Sequence, residues 1–207
     1  MKKTYKISLA VVALCGLTAC STLLSGGSSF PSSEEAVASS WHNLKPEWKA
    51  RLVQDDTQKM CTEARDRPSK EKSAVIEALN KSMPIQLPAS GKMVGDWTKG
   101  EAIAQSGFGQ RVGDTTAKPN GGNCYACHQI TKKELSYGTI GPSLLGYAKL
   151  RGQSPEIVKY TYEKIYNAQI YSACSNMPRF GHNKVLTPEQ IADVVGLLMD
   201  PKSPVNQ

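Results

Sequence analysis

The clearest pattern of apolar and polar positions lies near the C-terminus. Thr187-Pro188-Glu189-Gln190 offers a capping threonine, a first-turn proline and a capping-box glutamine. Apolar residues then recur at helical spacing, at Ile191, Val194, Val195 and Leu198. The pattern predicts an amphipathic closing helix that ends before Pro201 and Pro204.

Other stretches also predict helices: residues 45–65, residues 69–82, a short helix capped by Asp96 or Thr98, and a helix opened by Ser154-Pro155-Glu156. In residues 45–65 the apolar side chains form a roughly helical stripe of Trp48, Leu52, Val53, Met60 and Cys61. No strand pattern of useful length and no internal repeat is present in the sequence. The predicted fold class is therefore all-α.

The N-terminus has the pattern of an export signal. Three lysines among the first six residues form a basic end, and residues 7–17 form an apolar run too short to span a bilayer. Leu17-Thr18-Ala19-Cys20 resembles the lipobox of bacterial lipoproteins, which implies cleavage before Cys20 and lipidation of its sulfur. The alternative is an ordinary signal peptide with Cys20 near the cleavage site. Either way, the mature protein is exported.

The chain divides into four predicted parts. Residues 1–19 form a lipoprotein-type signal peptide, 20–40 a Gly- and Ser-rich tether, 41–92 a helical extension and 93–207 the compact domain. Several acyl chains on Cys20 would hold that domain stably at a membrane surface. We therefore expect a periplasmic protein anchored to a membrane.

The charge is mildly basic. Removal of the three leader lysines lowers the formal net charge from +7 to +4. An excess of this size, spread along the sequence, is typical of a solvated surface and is compatible with an acidic redox partner. No basic run with interleaved aromatic residues is present, so nucleic acid is not an expected partner.

Cys124-Tyr125-Ala126-Cys127-His128 is the most specific motif in the chain. Cysteines three apart on a helical turn point to the same side, so both sulfurs can add to the vinyl groups of one porphyrin edge while His128 reaches the iron. The motif predicts one covalently bound haem c. A zinc site completed by Cys174 and His182 is the alternative, but export and the adjacent histidine favour haem. A thioredoxin-like pair would need a βαβ context, which the sequence lacks.

Four of the six cysteines already have a predicted role: Cys15 is removed with the leader, Cys20 carries lipid, and Cys124 and Cys127 bind haem. Cys61 and Cys174 remain. In an oxidising exported compartment two spare cysteines most often pair. We predict a disulfide between Cys61 and Cys174 that fastens the extension to the loop containing Cys174; two buried or reactive thiols are the alternative.

Met177 is the preferred candidate for the sixth iron ligand. It lies in Asn176-Met177-Pro178-Arg179-Phe180-Gly181, a loop just before the closing helix, where the proline stiffens the chain that presents the thioether. His182 and Cys174 are weaker candidates. The remaining methionines precede the motif or lie within the closing helix, where core packing is the simpler role.

Pro142 has two interpretations. In Gly141-Pro142-Ser143-Leu144 it can place its carbonyl against the second ring nitrogen of His128 and fix the orientation of the imidazole. Alternatively it only punctuates the loop.

The order of these motifs carries a family resemblance. CYACH, then GPSL, then a methionine loop before an amphipathic closing helix resembles class I cytochromes c over residues 94–200. NMPRFG followed by LTPEQIADVVGLLMDPKSPVN is similar to the SoxX family, the monohaem cytochrome subunits of the sulfur-oxidising SoxAX complex, in its extended form. The resemblance implies haem thioethers at Cys124 and Cys127, a proximal ligand at His128 and a distal ligand at Met177. The lipobox departs from the soluble members of that family.

The resemblance also implies partners. They are a monohaem or dihaem SoxA-type subunit, the SoxYZ carrier protein and a downstream electron-accepting cytochrome. On this hypothesis the chain is the non-catalytic electron-transfer subunit of an L-cysteine S-thiosulfotransferase, which couples thiosulfate oxidatively to a carrier cysteine. A free-standing, membrane-tethered electron carrier is the alternative.

Overall fold

The computed structural model describes residues 32–109, 111, 114 and 118–207. Within these ranges the regular elements are α-helices and 3-10 turns, without a strand, so the predicted all-α class is confirmed. No helix in the described part of the chain is long and apolar enough to cross a membrane. The predicted signal peptide and Cys20 lie outside the described residues.

The described residues form two compact units, the first ending at Leu52 and the second running from Val53 to Gln207. In the first unit, helix α1, Ser33–Ser40, begins at a capping box in which the side chains of Ser32 and Glu35 accept hydrogen bonds from each other's amides. The first unit therefore contains a helix inside the predicted tether. Residues 53–92 of the predicted helical extension belong to the second unit.

The predicted single helix over residues 45–65 is interrupted. Helix α2, Pro46–Lys49, continues into a 3-10 turn, Ala50–Leu52, and helix α3, Asp56–Glu63, begins separately. The restart has a local cause: the Asp55 carboxylate accepts from the Gln58 amide, and the Gln58 side chain accepts from the Asp55 amide. The predicted apolar stripe is consequently broken.

The remaining helices belong to the second unit. They are α4, Lys70–Ser82; α5, Trp97–Gln105; α6, Tyr147–Arg151; α7, Pro155–Tyr166; and α8, Pro188–Met199. Short 3-10 turns occur at Cys124–Ala126, Ala168–Ile170 and Pro204–Asn206. Four of these helices begin at side-chain caps: Ser69, Asp96, Ser154 and Thr187. The caps at Asp96, Ser154 and Thr187 agree with the sequence prediction.

Helices α5 and α8 approach each other at glycines. A Cβ atom on Gly100 would lie 2.1 Å from the main-chain oxygen of Asp193, and one on Gly196 would lie 2.4 Å from the main-chain oxygen of Gly95. The Asp193 carboxylate accepts from the Asp96 amide at 2.8 Å, at the start of α5. The absence of side chains at these two positions therefore sets the separation of the two helices.

The core of the second unit lies between α7, α8 and the 3-10 turn Cys124–Ala126 of the CYACH motif, here called the motif turn. Fully buried side chains include Tyr162 of α7 and Ile191, Val195 and Leu197 of α8. The Tyr162 hydroxyl donates to the Gln86 carbonyl at 2.7 Å, which holds the segment after α4 against this core. Burial of this apolar face is what stabilises an all-α unit of this size.

Candidate functional site

The cysteine and histidine motif occupies one tight turn. The Cys124 carbonyl accepts from the amides of Cys127 at 3.1 Å and His128 at 2.9 Å. Asn123, directly before the turn, has a left-handed backbone with φ of 47°, a conformation that asparagine tolerates better than most residues. Local hydrogen bonding therefore gathers both thiols and the imidazole within a single turn.

The His128 imidazole is held from two sides. Its Nδ1 lies 2.7 Å from the Pro142 carbonyl oxygen. Because a carbonyl can only accept, Nδ1 carries the proton and Nε2 presents its lone pair. Gly141 lies against the ring, where a Cβ atom would be 2.2 Å from Cε1. Of the two interpretations of Pro142, the structure contains the hydrogen bond to His128.

The segment carrying Pro142 runs alongside the motif. The Gly138 amide donates to the Tyr125 carbonyl, and the Gly141 amide donates to the Cys127 carbonyl, each at 2.8 Å. A Cβ atom on Gly138 would lie 1.8 Å from the main-chain oxygen of Ala126. Glycines at these two positions therefore permit the close approach that brings the Pro142 carbonyl to His128.

Cys124 and Cys127 are both free thiols. Burial raises the pKa of Cys124 to about 12, so its sulfur is a neutral thiol at physiological pH. A low-pKa thiolate of the thioredoxin type is not supported by this environment. Two unpaired thiols on one turn match the chemistry of thioether attachment.

Cys61 and Cys174 are joined in the structure, with their sulfur atoms 2.12 Å apart. The Cys174 amide donates to the Gln169 side-chain oxygen at 3.2 Å. A cysteine in a disulfide is not available as a thiolate, so this pairing removes Cys174 from both the zinc alternative and the choice of sixth ligand.

Met177 lies in the loop between the 3-10 turn Ala168–Ile170 and α8. It is partly buried and packs against the same core cluster as Cys124. Its amide donates to the Ser175 hydroxyl at 3.2 Å. The structure therefore brings the predicted distal ligand and the motif turn to one core.

The end of this loop approaches the motif turn. The Phe180 carbonyl accepts from the amides of Val185 and Leu186 at 2.8 and 3.1 Å. A Cβ atom on Gly122 would lie 3.1 Å from Cys124 Sγ and 3.6 Å from Leu186 Cδ1. Leu186 and Cys124 are thus neighbours across Gly122.

Residues of the second unit before α5 hold the methionine loop from outside. The Arg179 guanidinium donates through Nη2 to Asp55, and the Ala173 amide donates to Glu77 at 3.2 Å. Asn167, just before the 3-10 turn Ala168–Ile170, donates to the Asn80 side-chain oxygen at 3.0 Å. Together with the disulfide, these contacts give the segment containing α3 and α4 a structural role around the methionine loop.

Asp55, Arg179 and His182 form an ionic cluster that sequence reasoning missed. His182 Nε2 lies 3.7 Å from Asp55 Oδ2. Burial acts to raise the pKa of Asp55, but hydrogen bonds from the Gln58 amide and Arg179 outweigh it and leave the pKa below its usual value. Burial and the Arg179 charge lower the pKa of His182. The available signal was Arg179 itself, a lone charge among the apolar residues of NMPRFG.

A cleft of about 400 Å³ opens beside the motif turn. Its lining includes Gln105, Tyr125, Glu134 and Tyr137. None of the four predicted haem-binding residues lines it. This cleft is therefore separate from the place where Cys124 and Met177 meet the core.

No protein-family model matches the chain. An uncharacterized lipoprotein of Aquifex aeolicus (strain VF5) is 39% identical over 165 residues, covering 77% of this chain and 76% of the relative. The chain belongs to the same family as that lipoprotein.

Proposed function

We propose that this chain is an exported c-type cytochrome, anchored by lipid on Cys20, that serves as the electron-transfer subunit of a SoxAX-type complex. The observation that carries the proposal is the hydrogen bond from His128 Nδ1 to the Pro142 carbonyl. It leaves Nε2 as the free ring nitrogen of a histidine that directly follows two free thiols. A metal-binding imidazole in proteins typically has its other nitrogen held in this way.

The residues present fit a haem c. Cys124 and Cys127 would hold the porphyrin edge through thioethers, His128 would be the proximal ligand and Met177 the distal one. When bound, the haem supplies a one-electron couple whose potential is raised by methionine ligation, and this couple can pass electrons to another cytochrome. The chain's own part is positional: Pro142 and Gly141 fix the imidazole, and the methionine loop is secured at Cys174 and Arg179.

Two features support a class I cytochrome c-like fold. The described residues are all-α, and α5 packs closely on the closing helix α8 through Gly100 and Gly196. The motif turn and the methionine loop lie between these two helices in chain order. The resemblance to class I cytochromes c rests on the order of the motif turn, the methionine loop and the closing helix.

The sulfur-oxidation role rests on the resemblance of the C-terminal tail to the SoxX family. On that proposal a SoxA-type subunit forms the sulfur-sulfur bond between thiosulfate and a SoxYZ cysteine, a step that releases two electrons and one proton. The present chain makes no bond and contributes electron transfer within the heterodimer. A free-standing carrier would have the same haem residues and no such companion.

Lipid anchoring is supported by two observations. Leu17-Thr18-Ala19-Cys20 has the order of a lipobox, and the relative in Aquifex aeolicus is named a lipoprotein. Incorporation of a labelled fatty acid into the wild type, and its loss in Cys20→Ala, would support the anchor. Equal labelling of both proteins would contradict it.

Haem attachment is tested by expressing the full chain with a cytochrome c maturation system and staining a denaturing gel for haem. The wild type should stain, and Cys124→Ala/Cys127→Ala should not, because thioether-bound haem survives denaturation and a metal such as zinc does not stain. Cys61→Ala/Cys174→Ala is the matched control and should keep its stain, since it also removes two cysteines. A wild type that does not stain after maturation would refute the proposal.

Met177 is tested by its spectrum. Met177→Ala should retain covalent haem but lose the weak near-infrared band of iron-methionine bonding. Met93→Ala is the matched control, because Met93 also is partly buried and packs on the same core cluster. A band that persists in Met177→Ala assigns the sixth ligand elsewhere.

The enzymatic context is tested by purification. A tagged chain should co-purify with a second haem protein, and that pair should be reduced by thiosulfate in the presence of the SoxYZ carrier. A chain that purifies alone and is indifferent to thiosulfate with that partner supports the free-standing carrier instead.

A further inference from the structure

Arg179 is a buried cation with one arm unpaired. Its side chain is 3% exposed, and Nη2 donates to Asp55. Among the described residues, its Nη1 is the buried side-chain nitrogen or oxygen that has no hydrogen-bond partner. Leaving a buried charged donor without an acceptor is energetically costly, so an acceptor is expected at this atom.

The described part of the chain does not supply that acceptor nearby. Asp55 accepts from the Gln58 amide through Oδ1 and from Arg179 through Oδ2, and its Oδ2 also faces His182 at 3.7 Å. One carboxylate therefore faces a guanidinium and an imidazole. The cluster has more donors than its single carboxylate can satisfy, which favours a second anionic oxygen group.

Arg179 also lies close to the proposed haem residues in the chain. It is two residues beyond Met177, and the next residue, Phe180, is buried and accepts the hydrogen bonds that bring Leu186 to Cys124. A group bound between the methionine loop and the motif turn would therefore border this loop. Any haem c carries two propionate carboxylates, which are oxygen anions whose planar shape matches a guanidinium.

We propose that Arg179 Nη1 binds a haem propionate, so that one guanidinium bridges Asp55 and the cofactor. This inference rests on the proposed function. It assigns to Arg179 a second role besides securing the methionine loop: neutralising a buried carboxylate and favouring the reduced haem electrostatically. Asp55 is then a positioning residue, because it acts on the cofactor only through Arg179.

The experiment compares haem-loaded wild type, Arg179→Gln, Arg179→Lys and the matched control Arg111→Gln. Arg111 also pairs with an aspartate, Asp114, but its side chain is 77% exposed. Two quantities are measured at fixed pH: the propionate bending bands in the resonance Raman spectrum, and the midpoint potential. Haem staining of each protein is recorded first.

Arg179→Gln should shift a propionate band and lower the midpoint potential, because loss of a buried positive charge disfavours the ferrous state. Arg179→Lys should shift the band with a smaller change in potential, since it keeps the charge but not the two-armed donor. Arg111→Gln should change neither. Asp55→Asn should move the potential in the opposite direction to Arg179→Gln.

The outcomes separate the inference from the proposed function. Absence of haem stain in the wild type refutes the proposed function. If the wild type stains but neither Arg179 variant shifts a propionate band beyond the Arg111→Gln control, the acceptor is water or a solvent anion and the inference is overturned. Potentials that move in the same direction in Arg179→Gln and Asp55→Asn also overturn it. Arg179→Lys keeps the test decisive if Arg179→Gln does not fold.

Discussion

Replacing Cys61 and Cys174 together by alanine removes a cross-link between positions 113 residues apart. In the chain-entropy model, closing a loop of that length lowers the conformational entropy of the unfolded chain and so raises its free energy by about 4.8 kcal/mol at 25 °C. Removal of native disulfides from small exported domains typically costs about 2–5 kcal/mol. We expect Cys61→Ala/Cys174→Ala to lose about 3–5 kcal/mol of unfolding free energy.

The fold should survive this change because other contacts join the same segments. Arg179 donates to Asp55, the Ala173 amide donates to Glu77, and Asn167 donates to Asn80. These contacts act in the native state, whereas the cross-link acts mainly on the unfolded chain. The variant is therefore expected to keep its helical content, and any haem bound as proposed, while unfolding more easily.

Urea unfolding followed by circular dichroism measures the effect. If the free energy of unfolding falls by about 2 kcal/mol per molar urea, a loss of about 3–5 kcal/mol lowers the urea concentration at the unfolding midpoint by about 2 M. Reductant provides the control: it should lower the midpoint of the wild type to that of the double variant and leave the variant unchanged. Thioethers resist thiol reductants, so the proposed haem attachment should be unaffected.

A double variant whose midpoint matches that of the oxidised wild type would refute this reasoning. So would non-reducing peptide mapping that recovers the Cys61 and Cys174 peptides unlinked. Either result would return the two cysteines to the alternative of free thiols.

Three further changes test local features. Gly100→Ala should cost about 1–3 kcal/mol in urea unfolding despite alanine's better helix propensity, because its Cβ would lie 2.1 Å from a main-chain oxygen of α8; a neutral result would mean that the helices are not in such close contact. Gly141→Ala should raise the midpoint potential of the proposed haem, because the added methyl group displaces His128 from the Pro142 carbonyl. The hydrogen bond to that carbonyl makes the imidazole a better electron donor; an unchanged potential argues against the contact. Asp55→Asn should destabilise at pH 7, and because the pKa of Asp55 is lowered on folding, the difference from wild type should close as the pH falls below about 4; a gap that is constant with pH would exclude an ionised Asp55 as its cause.

Features that depend on near neighbours were predicted from the sequence. Thr187 and Gln190 are three residues apart, and their reciprocal hydrogen bonds start α8 where the capping-box pattern placed it. The all-α class follows from the helical spacing of apolar residues in the same way. The order of the CYACH motif also places both thiols and the imidazole on one turn, because the Cys124 carbonyl accepts hydrogen bonds from the amides of Cys127 and His128 within the motif itself.

The same local logic was incomplete at residues 45–65 and 20–40. The apolar stripe predicts one continuous helix over residues 45–65, but Asp55 and Gln58 form a capping box that starts a new helix. Ser32 and Glu35 form another such box within the predicted tether. In both places the capping residues are a local signal in the sequence that composition and apolar periodicity do not reveal.

Other features were decided only by the tertiary structure, because they join residues distant in sequence. Asp55 and Arg179 are 124 residues apart, and neither residue type nor spacing predicts that a surface-type charge will be 3% exposed. The close approach of Gly100 to Asp193 likewise depends on how two helices pack. The sequence by itself determined where most of the helices begin and which residues are proposed to hold a haem, since those rest on local hydrogen bonds and side-chain chemistry. Only the packing of the whole fold decided that Arg179 is buried against Asp55, because burial depends on contacts between segments that are distant in sequence.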